Sequence, residues 1–234
     1  MEKKQSELCL EILRRFHKAN ILDDCILIGR WCIYFYKECF INMPYLGQAT
    51  LRTRDIDFLI EKPAKIKQSV NIPELLKDLG FVTIFKRNKG YIKLDHPDLI
   101  LEFLVPERGR GTDKPVPLTK LGMNAVALRF LNLLTDNIIK IKVENFNISL
   151  PHPANFALHK LIISQRRPKK DKAAKDRNAA IGILKALINK GESRVIRRSF
   201  DSLLPKWQKK IIKVLEETKE KYILSVLTND ASLP

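Results

Sequence analysis

Two aspartates separated by one residue stand at the start of a predicted strand, in the stretch R-D-I-D-F-L-I over residues 54–60. Because side chains i and i+2 of a strand point to the same face, we expect Asp55 and Asp57 to project together. Neighbouring carboxylates repel each other and resist burial, and a divalent cation relieves both costs. Carboxylate oxygens, together with substrate phosphates, are the ligands that Mg²⁺ prefers. The pair therefore predicts a Mg²⁺ or Mn²⁺ site, with two solvated acids as the alternative.

A third acid, Glu102, lies inside the apolar stretch L-I-L-E-F-L-V over residues 99–105. An acid there is costly unless it is paired or binds a metal. Alternation puts Leu101 and Phe103 on one face of this strand and Glu102 on the other. If the strand lies beside the one with the aspartates, three carboxylates converge, and the third could bind metal or accept a proton from an attacking hydroxyl. A salt bridge to a nearby Lys or Arg is the alternative.

The elements that must position these acids follow from hydrophobic periodicity. Predicted strands cover residues 25–29, 55–60, 81–86, 91–95, 99–105, 138–143 and 147–150. Predicted helices cover residues 4–18, 31–40, 73–79, 122–134, 153–166, 170–189 and 205–227, and a loop rich in Gly, Pro and charge covers residues 106–117. We therefore expect an α+β chain with a mixed-sheet domain over residues 1–150 and a basic helical domain over residues 151–234.

The charge balance indicates a polyanionic partner. Lys and Arg number 43 against 26 Asp and Glu, a formal net charge of +17. Residues 151–234 hold 19 basic and 8 acidic residues, so the excess is concentrated there. Nucleic acid is the first candidate partner and an anionic membrane surface the second, while a merely solubilising surface is the alternative. The densest run is R-R-P-K-K-D-K-A-A-K-D-R, residues 166–177.

Cysteine usage and hydropathy predict a soluble cytoplasmic protein. All four cysteines (Cys9, Cys25, Cys32 and Cys39) lie in the first forty residues without a C-x-x-C pair, which is typical of reduced core residues rather than of a zinc site. The first sixteen residues mix acids and bases, unlike a signal peptide. No run approaches the ~20 apolar residues of a membrane helix. His152 and His159 lack the companions of a metal site, so we interpret them as structural.

The order of these features resembles the nucleotidyltransferase superfamily that includes DNA polymerase β: a strand ending at Gly29, a helix, the pair Asp55 and Asp57, and then Glu102. The stretches L-I-G-R-W-C-I-Y-F-Y, P-D-L-I-L-E-F-L-V-P and A-L-H-K-L-I resemble its compact, uncharacterised prokaryotic branch. Abortive-infection toxin nucleotidyltransferases are a more distant comparison. The resemblance covers about residues 20–190. It implies a nucleotidyltransferase-type mixed β-sheet with flanking helices, and the three acids as catalytic, metal-binding residues.

Four residues are candidates for nucleotide contacts: Gly29, Arg30, Lys160 and Arg167. Relatives usually follow the strand-end Gly with Gly or Ser, whereas this chain has Arg30. Arg30 could pair with a triphosphate, since Arg suits bidentate phosphate contacts, or it could obstruct the pocket. Lys160 resembles a nucleotide-contacting Lys of the toxin-type relatives, and Arg167 follows it seven residues later on the same helical face.

Three functions are compatible with these residues. The first is Mg²⁺-dependent transfer of a nucleoside monophosphate from an NTP to an acceptor hydroxyl, with RNA such as tRNA as the acceptor. The alternative is a weak or inactive nucleotidyltransferase-fold module that binds nucleotide or nucleic acid, for example within a toxin–antitoxin pair. The third is a nuclease, but many Mg²⁺ nucleases carry Glu-x-Lys after a lone Asp, and Glu102 is followed by Phe103 and Leu104.

Overall fold

The structure is a computed structural model that describes residues 2–39, 53–86, 90–107, 109 and 114–228. The described residues form two compact units, one that extends as far as Pro151 and one that begins at His152. The first unit contains every strand in the described part of the chain, and the second contains helices. Among the described residues no helix is long and apolar enough to cross a membrane.

The first unit is built on a mixed β-sheet. Its strands are β1 Ile26–Ile28, β2 Asp55–Leu59, β3 Val82–Lys86, β4 Tyr91–Asp95, β5 Ile100–Pro106, β6 Val116–Leu118, β7 Met123–Leu128, β8 Ile138–Val143 and β9 Phe146–Pro151. Neighbouring strands follow the order β3-β4-β5-β2-β1-β9-β8, while β7 pairs with β5 and β6 pairs with β7. Strand β2 is therefore central, with β1 antiparallel on one side and β5 parallel on the other.

One face of the central strands is covered by helix α1, Glu2–Lys18. Its buried residues recur at helical spacing and are Cys9, Ile12, Leu13 and Phe16. The ring of Phe16 lies 5.0 Å from that of Phe58 on β2 and 6.4 Å from that of Phe103 on β5, centroid to centroid. Because Phe58 and Phe103 are buried on this face, the residues that alternate with them point to the other face.

Three further helices of this unit are short. They are α2 Trp31–Cys39, α3 Ile72–Leu76 and α4 Asn132–Thr135. The side chain of Asn71 caps α3 by accepting a hydrogen bond from the amide of Glu74. The 3₁₀ turn that continues α3 ends at Gly80, which has a left-handed backbone.

Two predictions in the first unit are wrong. Residues 122–134 were expected to be a helix, but they form β7 and the one-turn α4. The short apolar run of β7 is held parallel to β5 and antiparallel to β6, so hydrogen bonds on both edges outweigh its local helical character. The expected loop over 106–117 contains the start of β6, where Pro117 is tolerated because β6 lies at the edge. Residues 108 and 110–113 of that loop lie outside the described residues.

The second unit contains α5 Pro153–Ser164, α6 Lys170–Asn189, α7 Ser193–Asp201, α8 Pro205–Glu217 and α9 Lys221–Thr228. Helix α5 is buried on almost all sides because it packs against α6, α7 and α8. The sequence reading missed α7. The single helix expected over 205–227 is also wrong, since Lys219 adopts a left-handed backbone, φ +58°, and divides it into α8 and α9.

Candidate functional site

The backbone at Gly29 approaches the side chain of Asp57 closely. Antiparallel pairing sets Ile28 of β1 opposite Asp57 of β2, and Gly29 follows with φ +75°. A β-carbon on residue 29 would lie 2.6 Å from Oδ2 of Asp57, closer than real β-carbons come to any atom. Glycine is thus required twice, by the left-handed backbone and by the neighbouring carboxylate. Because residue 29 has no side chain, one carboxylate oxygen of Asp57 lies close to its backbone.

The three acids lie on one face of the sheet. Parallel pairing sets Asp57 opposite Glu102 and Asp55 opposite Ile100, so β5 lies beside β2 as the alternation argument required. Asp55 is exposed, whereas Asp57 and Glu102 are half-buried. The face is opposite to the one that α1 covers. The arrangement therefore groups carboxylates from two adjacent strands that a hydrophobic core holds in register.

Glu102 forms an ion pair with Lys93, a residue that the sequence reading missed. Strand β4 pairs with β5 through Asp95 opposite Ile100 and Leu94 opposite Leu101. The next residue of β4, Lys93, reaches Glu102 and contacts its Oε2 through Nζ. Both side chains are largely shielded, at 23% and 19% exposure. The salt bridge named above as the alternative for Glu102 is therefore present. The alternation of Y-I-K-L-D separates Lys93 from Leu94, and the register of β4 and β5 puts Lys93 on the acidic face.

Arg54 fastens the start of β2 to its neighbours. Its Nη2 donates to the carbonyl oxygen of His96 at 2.7 Å and to Oδ1 of Asp95 at 3.1 Å. Its own carbonyl oxygen accepts a hydrogen bond from the amide of Ile100 at 2.6 Å. These bonds join the start of β2 to β5 and to the end of β4, so Arg54 positions the backbone of Asp55.

The acidic face fits a divalent metal through the two aspartates. Within the described ranges no three His, Cys, Asp or Glu side chains are grouped to hold a metal ion. Mg²⁺, however, commonly takes one or two protein carboxylates and completes its shell with water and substrate phosphates. Asp55 and Asp57 supply that number of hard oxygen ligands on one face of β2, with the backbone of Gly29 close to Asp57. Because Glu102 is directed to Lys93, its predicted role as a metal ligand stays a prediction.

Arg30 occupies the turn between β1 and α2. It is half-buried, and its carbonyl oxygen accepts a hydrogen bond from the amide of Ile33 at 3.0 Å, which begins the helix. The backbone at this point is thus set by the start of α2. Its predicted contact with a triphosphate stays a prediction.

Lys160 and Arg167 both bind Asp176 inside the helical unit. Lys160 Nζ donates to Oδ1 at 2.7 Å and Arg167 Nε donates to Oδ2 at 2.9 Å. Lys160 is almost fully buried, and its Nζ lies 5.4 Å from the ring centroid of Phe156. Burial alone would raise the pKa of Asp176, but the two cations outweigh it and hold that pKa below its usual value. In this structure both side chains form ion pairs with Asp176. The expected nucleotide contacts of Lys160 and Arg167 stay predictions.

His159 lies beside this network as a neutral residue. It is buried, and neither ring nitrogen has a hydrogen-bond partner among the described residues. Burial, assisted by the neighbouring positive charge of Lys160, lowers the pKa of His159 to about 3. His159 is therefore an uncharged side chain that packs in the interior of the helical unit.

The chain is similar to known proteins over most of its length. Residues 7–203 match the family model described as nucleotidyltransferase. A nucleotidyltransferase-like antigenic protein from Paracoccidioides brasiliensis matches 95% of this chain and 92% of its own, with 14% identity and a TM-score of 0.51. The antibiotic-resistance factor ANT(2'')-Ia matches 94% of this chain and 99% of its own, with 14% identity and a TM-score of 0.46. None of the curated proteins matches the chain. The family match spans most of the sequence, and the chain therefore belongs to the nucleotidyltransferase family.

Proposed function

We propose that this protein transfers a nucleoside monophosphate from an NTP to an acceptor hydroxyl, in a reaction that depends on Mg²⁺ or Mn²⁺. One observation carries the proposal: the register that sets Asp57 between Gly29 on one side and Glu102 on the other. A carboxylate pair beside a backbone without a side chain suits a metal-bound triphosphate, because phosphates need close approach to both.

In the proposed reaction the acceptor oxygen forms a bond to the α-phosphorus. The bond from that phosphorus to the oxygen that bridges to the β-phosphate breaks, and pyrophosphate leaves with the electron pair. The hydroxyl proton passes to Glu102, the half-buried carboxylate that the parallel register sets opposite Asp57. Asp55 and Asp57 would hold the metal, which would neutralise negative charge on the phosphate oxygens.

Two residues of the chain position this chemistry. Lys93 holds the carboxylate of Glu102 in place through their ion pair. Arg30, immediately after Gly29, is proposed to contact the triphosphate, since a guanidinium offers paired donors to phosphate oxygens. The proposed acceptor is RNA, for which the basic excess of residues 151–234 is the supporting observation.

The second candidate function is a nucleotide- or RNA-binding module without turnover. The Lys93–Glu102 ion pair favours it, because a lysine that neutralises the third acid reduces the need for a metal at that position. This candidate predicts RNA binding that persists in Asp57→Asn.

We also infer that the protein works in the reducing cytoplasm. Cys9, Cys25 and Cys32 are free thiols buried in the first unit, and burial raises the pKa of Cys9 and Cys25, which makes these thiols unreactive. The side chain of Cys39 lies outside the described residues. Labelling of the denatured protein in cell lysate should find all cysteines reduced, and an intramolecular disulfide would count against this inference.

The test of the proposed activity uses α-³²P-labelled NTPs, total RNA and Mg²⁺ or Mn²⁺. Wild-type protein should transfer label to RNA, and Asp57→Asn should lose about 100-fold or more of the rate, the usual size of one essential electrostatic group. Asp23→Asn is the matched control, since Asp23 is an exposed surface acid paired with Lys140. Equal transfer by Asp57→Asn, or no transfer by wild type with any NTP, would overturn the proposal.

A further inference from the structure

Helix α8 presents a stripe of exposed lysines. The lysine stripe consists of Lys206, Lys209, Lys210 and Lys213. Their spacing of i, i+3, i+4 and i+7 puts them on one side of the helix. The buried residues Ile211, Val214 and Leu215 form its other side and pack into the helical unit. The stripe is thus a fixed surface feature, because the apolar side decides which way α8 is turned.

An aromatic ring lies at the border of the lysine stripe. Trp207 is half-buried, with Lys206 Nζ 5.0 Å and Lys210 Nζ 5.2 Å from its ring centroid. Both ammonium groups lie over the ring, so a base that stacks on Trp207 would displace one of them toward the neighbouring phosphates. Proteins that bind single-stranded nucleic acid combine these two elements: cations that follow the backbone and aromatic rings that take the bases.

A second basic element adjoins the stripe. The side-chain Nε2 of Gln165, at the end of α5, donates to the carbonyl oxygen of Lys210 at 3.3 Å. The exposed turn over residues 166–170 starts at the next residue, and four of its five residues are Lys or Arg. The hydrogen bond therefore brings the start of this basic turn beside the middle of the lysine stripe. We call the stripe, Trp207 and this turn together the Trp207 surface.

Acidic residues limit the Trp207 surface at one end. Glu216 and Glu217 close α8, and Lys213 Nζ lies 4.0 Å from Glu217 in an exposed pair. In the turn, Arg167 is engaged by Asp176. Across the described residues Lys206, Lys209 and Lys210 form no such pair with an acid. The basic field is strongest over the first two turns of α8, where Trp207 lies.

We propose that the Trp207 surface binds single-stranded RNA. The inference rests on the proposed function in that it names the surface that would hold an RNA acceptor. A ring at the protein surface can stack on an unpaired base, whereas the bases of a duplex are already stacked. An anionic membrane fits less well, because an interfacial helix inserts an apolar face and that of α8 is buried in its own unit.

The binding test uses fluorescence anisotropy with a labelled single-stranded RNA of about 12 nucleotides, within the site sizes of such proteins. It is run in the full-length Asp57→Asn background so that no turnover intervenes. The double variant Lys206→Gln/Lys210→Gln should bind about 10-fold more weakly at moderate salt. The slope of log K against log salt should fall by about 1.4, since each single-strand phosphate contact contributes about 0.7.

Trp207→Leu separates stacking from charge. It keeps an apolar side chain, and it should weaken RNA binding about 5- to 100-fold, the range for loss of one stacked base, while the salt slope is unchanged. The matched control is Lys219→Gln/Lys221→Gln, which removes the same charge from exposed lysines outside the Trp207 surface and outside the basic run of residues 166–177. Circular dichroism and thermal unfolding verify that each variant is folded.

Three results would overturn this proposal. They are equal RNA affinity for the stripe and control double variants, equal affinity for duplex and single-stranded RNA, and binding to phosphatidylserine vesicles in place of RNA. Each leaves the nucleotide-transfer proposal standing, since that depends on Asp57 and labelled NTP. Conversely, wild-type protein could bind RNA through Trp207 and yet transfer no label from any NTP. That result would support RNA binding by the Trp207 surface and overturn the proposed transferase activity.

Discussion

A β-carbon on residue 29 would lie 2.6 Å from Oδ2 of Asp57, so the first turn of the fold and the second aspartate are sterically linked. The link comes from the antiparallel register of β1 and β2, which sets Ile28 opposite Asp57. Any change at residue 29 is therefore transmitted to the carboxylate most central to the acidic face.

Gly29→Ala should damage the site more than the fold. An alanine in this left-handed backbone lowers the free energy of unfolding by about 1–2 kcal/mol. Its β-carbon also displaces the carboxylate of Asp57. Gly191→Ala is the control, because Gly191 has φ +83° with nothing within 4 Å of its added β-carbon. Urea unfolding and Mn²⁺·NTP binding are the measurements. Equal loss of stability in both variants, with Mn²⁺·NTP affinity retained in Gly29→Ala, would show that the close approach has no consequence.

Lys93→Met should make stability more dependent on metal. Its loss leaves the half-buried carboxylate of Glu102 without its cation, which costs about 1–3 kcal/mol. A divalent metal can take over part of that neutralisation, so Mn²⁺ should raise the melting temperature of Lys93→Met more than that of wild type. Lys77→Met, which removes an exposed partner of Glu74, should stay within about 0.5 kcal/mol of wild type. The same Mn²⁺ shift in all three proteins would rule out this interpretation of Lys93.

Asp176→Asn should strongly destabilise the helical unit. The substitution leaves the buried ammonium of Lys160 without its counter-charge, a loss of about 3–5 kcal/mol. Asp201→Asn removes an exposed partner of Arg197 and should cost about 0–1 kcal/mol. Urea unfolding followed by circular dichroism compares the two. A cost for Asp176→Asn as small as that of the control would mean that Lys160 is solvated and available to other partners.

His159 predicts a loss of stability in mild acid. Its pKa is about 3 in the folded protein and about 6.5 when unfolded, so protons favour the unfolded state as pH falls from 6.5 toward 3. Stability is fully retained above pH 6.5 and decreases by about 1.4 kcal/mol for each unit below it. Between pH 7.5 and 5.0, wild type should therefore lose about 2 kcal/mol more than His159→Phe in urea unfolding. Because the change in unfolding free energy with pH is taken within each protein, the packing change caused by phenylalanine cancels. Equal losses of stability in wild type and His159→Phe would exclude His159 as the cause.

Much of the acidic face was predictable because alternation along a strand decides the facing of side chains. That rule separates Glu102 from Phe103 and puts Asp55 with Asp57, and the parallel register of β2 and β5 confirms that these strands are neighbours. Lys93 was missed because its contact depends on which strand pairs with the other edge of β5. A local pattern contains no information on that pairing.

Tertiary contacts also decided the elements and contacts that were predicted wrongly elsewhere in the chain. Residues 123–128 became a strand because β5 and β6 supply hydrogen bonds on both edges, a tertiary effect on a short apolar run. Lys160 on α5 contacts Asp176 on α6, sixteen residues later in the chain. Helical spacing related Lys160 only to Arg167, and it could not show that both residues bind Asp176.

The most direct test of the central claim is a crystal structure of the protein with Mn²⁺ and a non-hydrolysable NTP, with Mn²⁺ located by its anomalous scattering. We expect Mn²⁺ at about 2.1 Å from carboxylate oxygens of Asp55 and Asp57, with triphosphate oxygens completing its shell above Gly29. Mn²⁺ and triphosphate bound away from Asp55 and Asp57, or no ordered nucleotide at saturating concentration, would contradict the account.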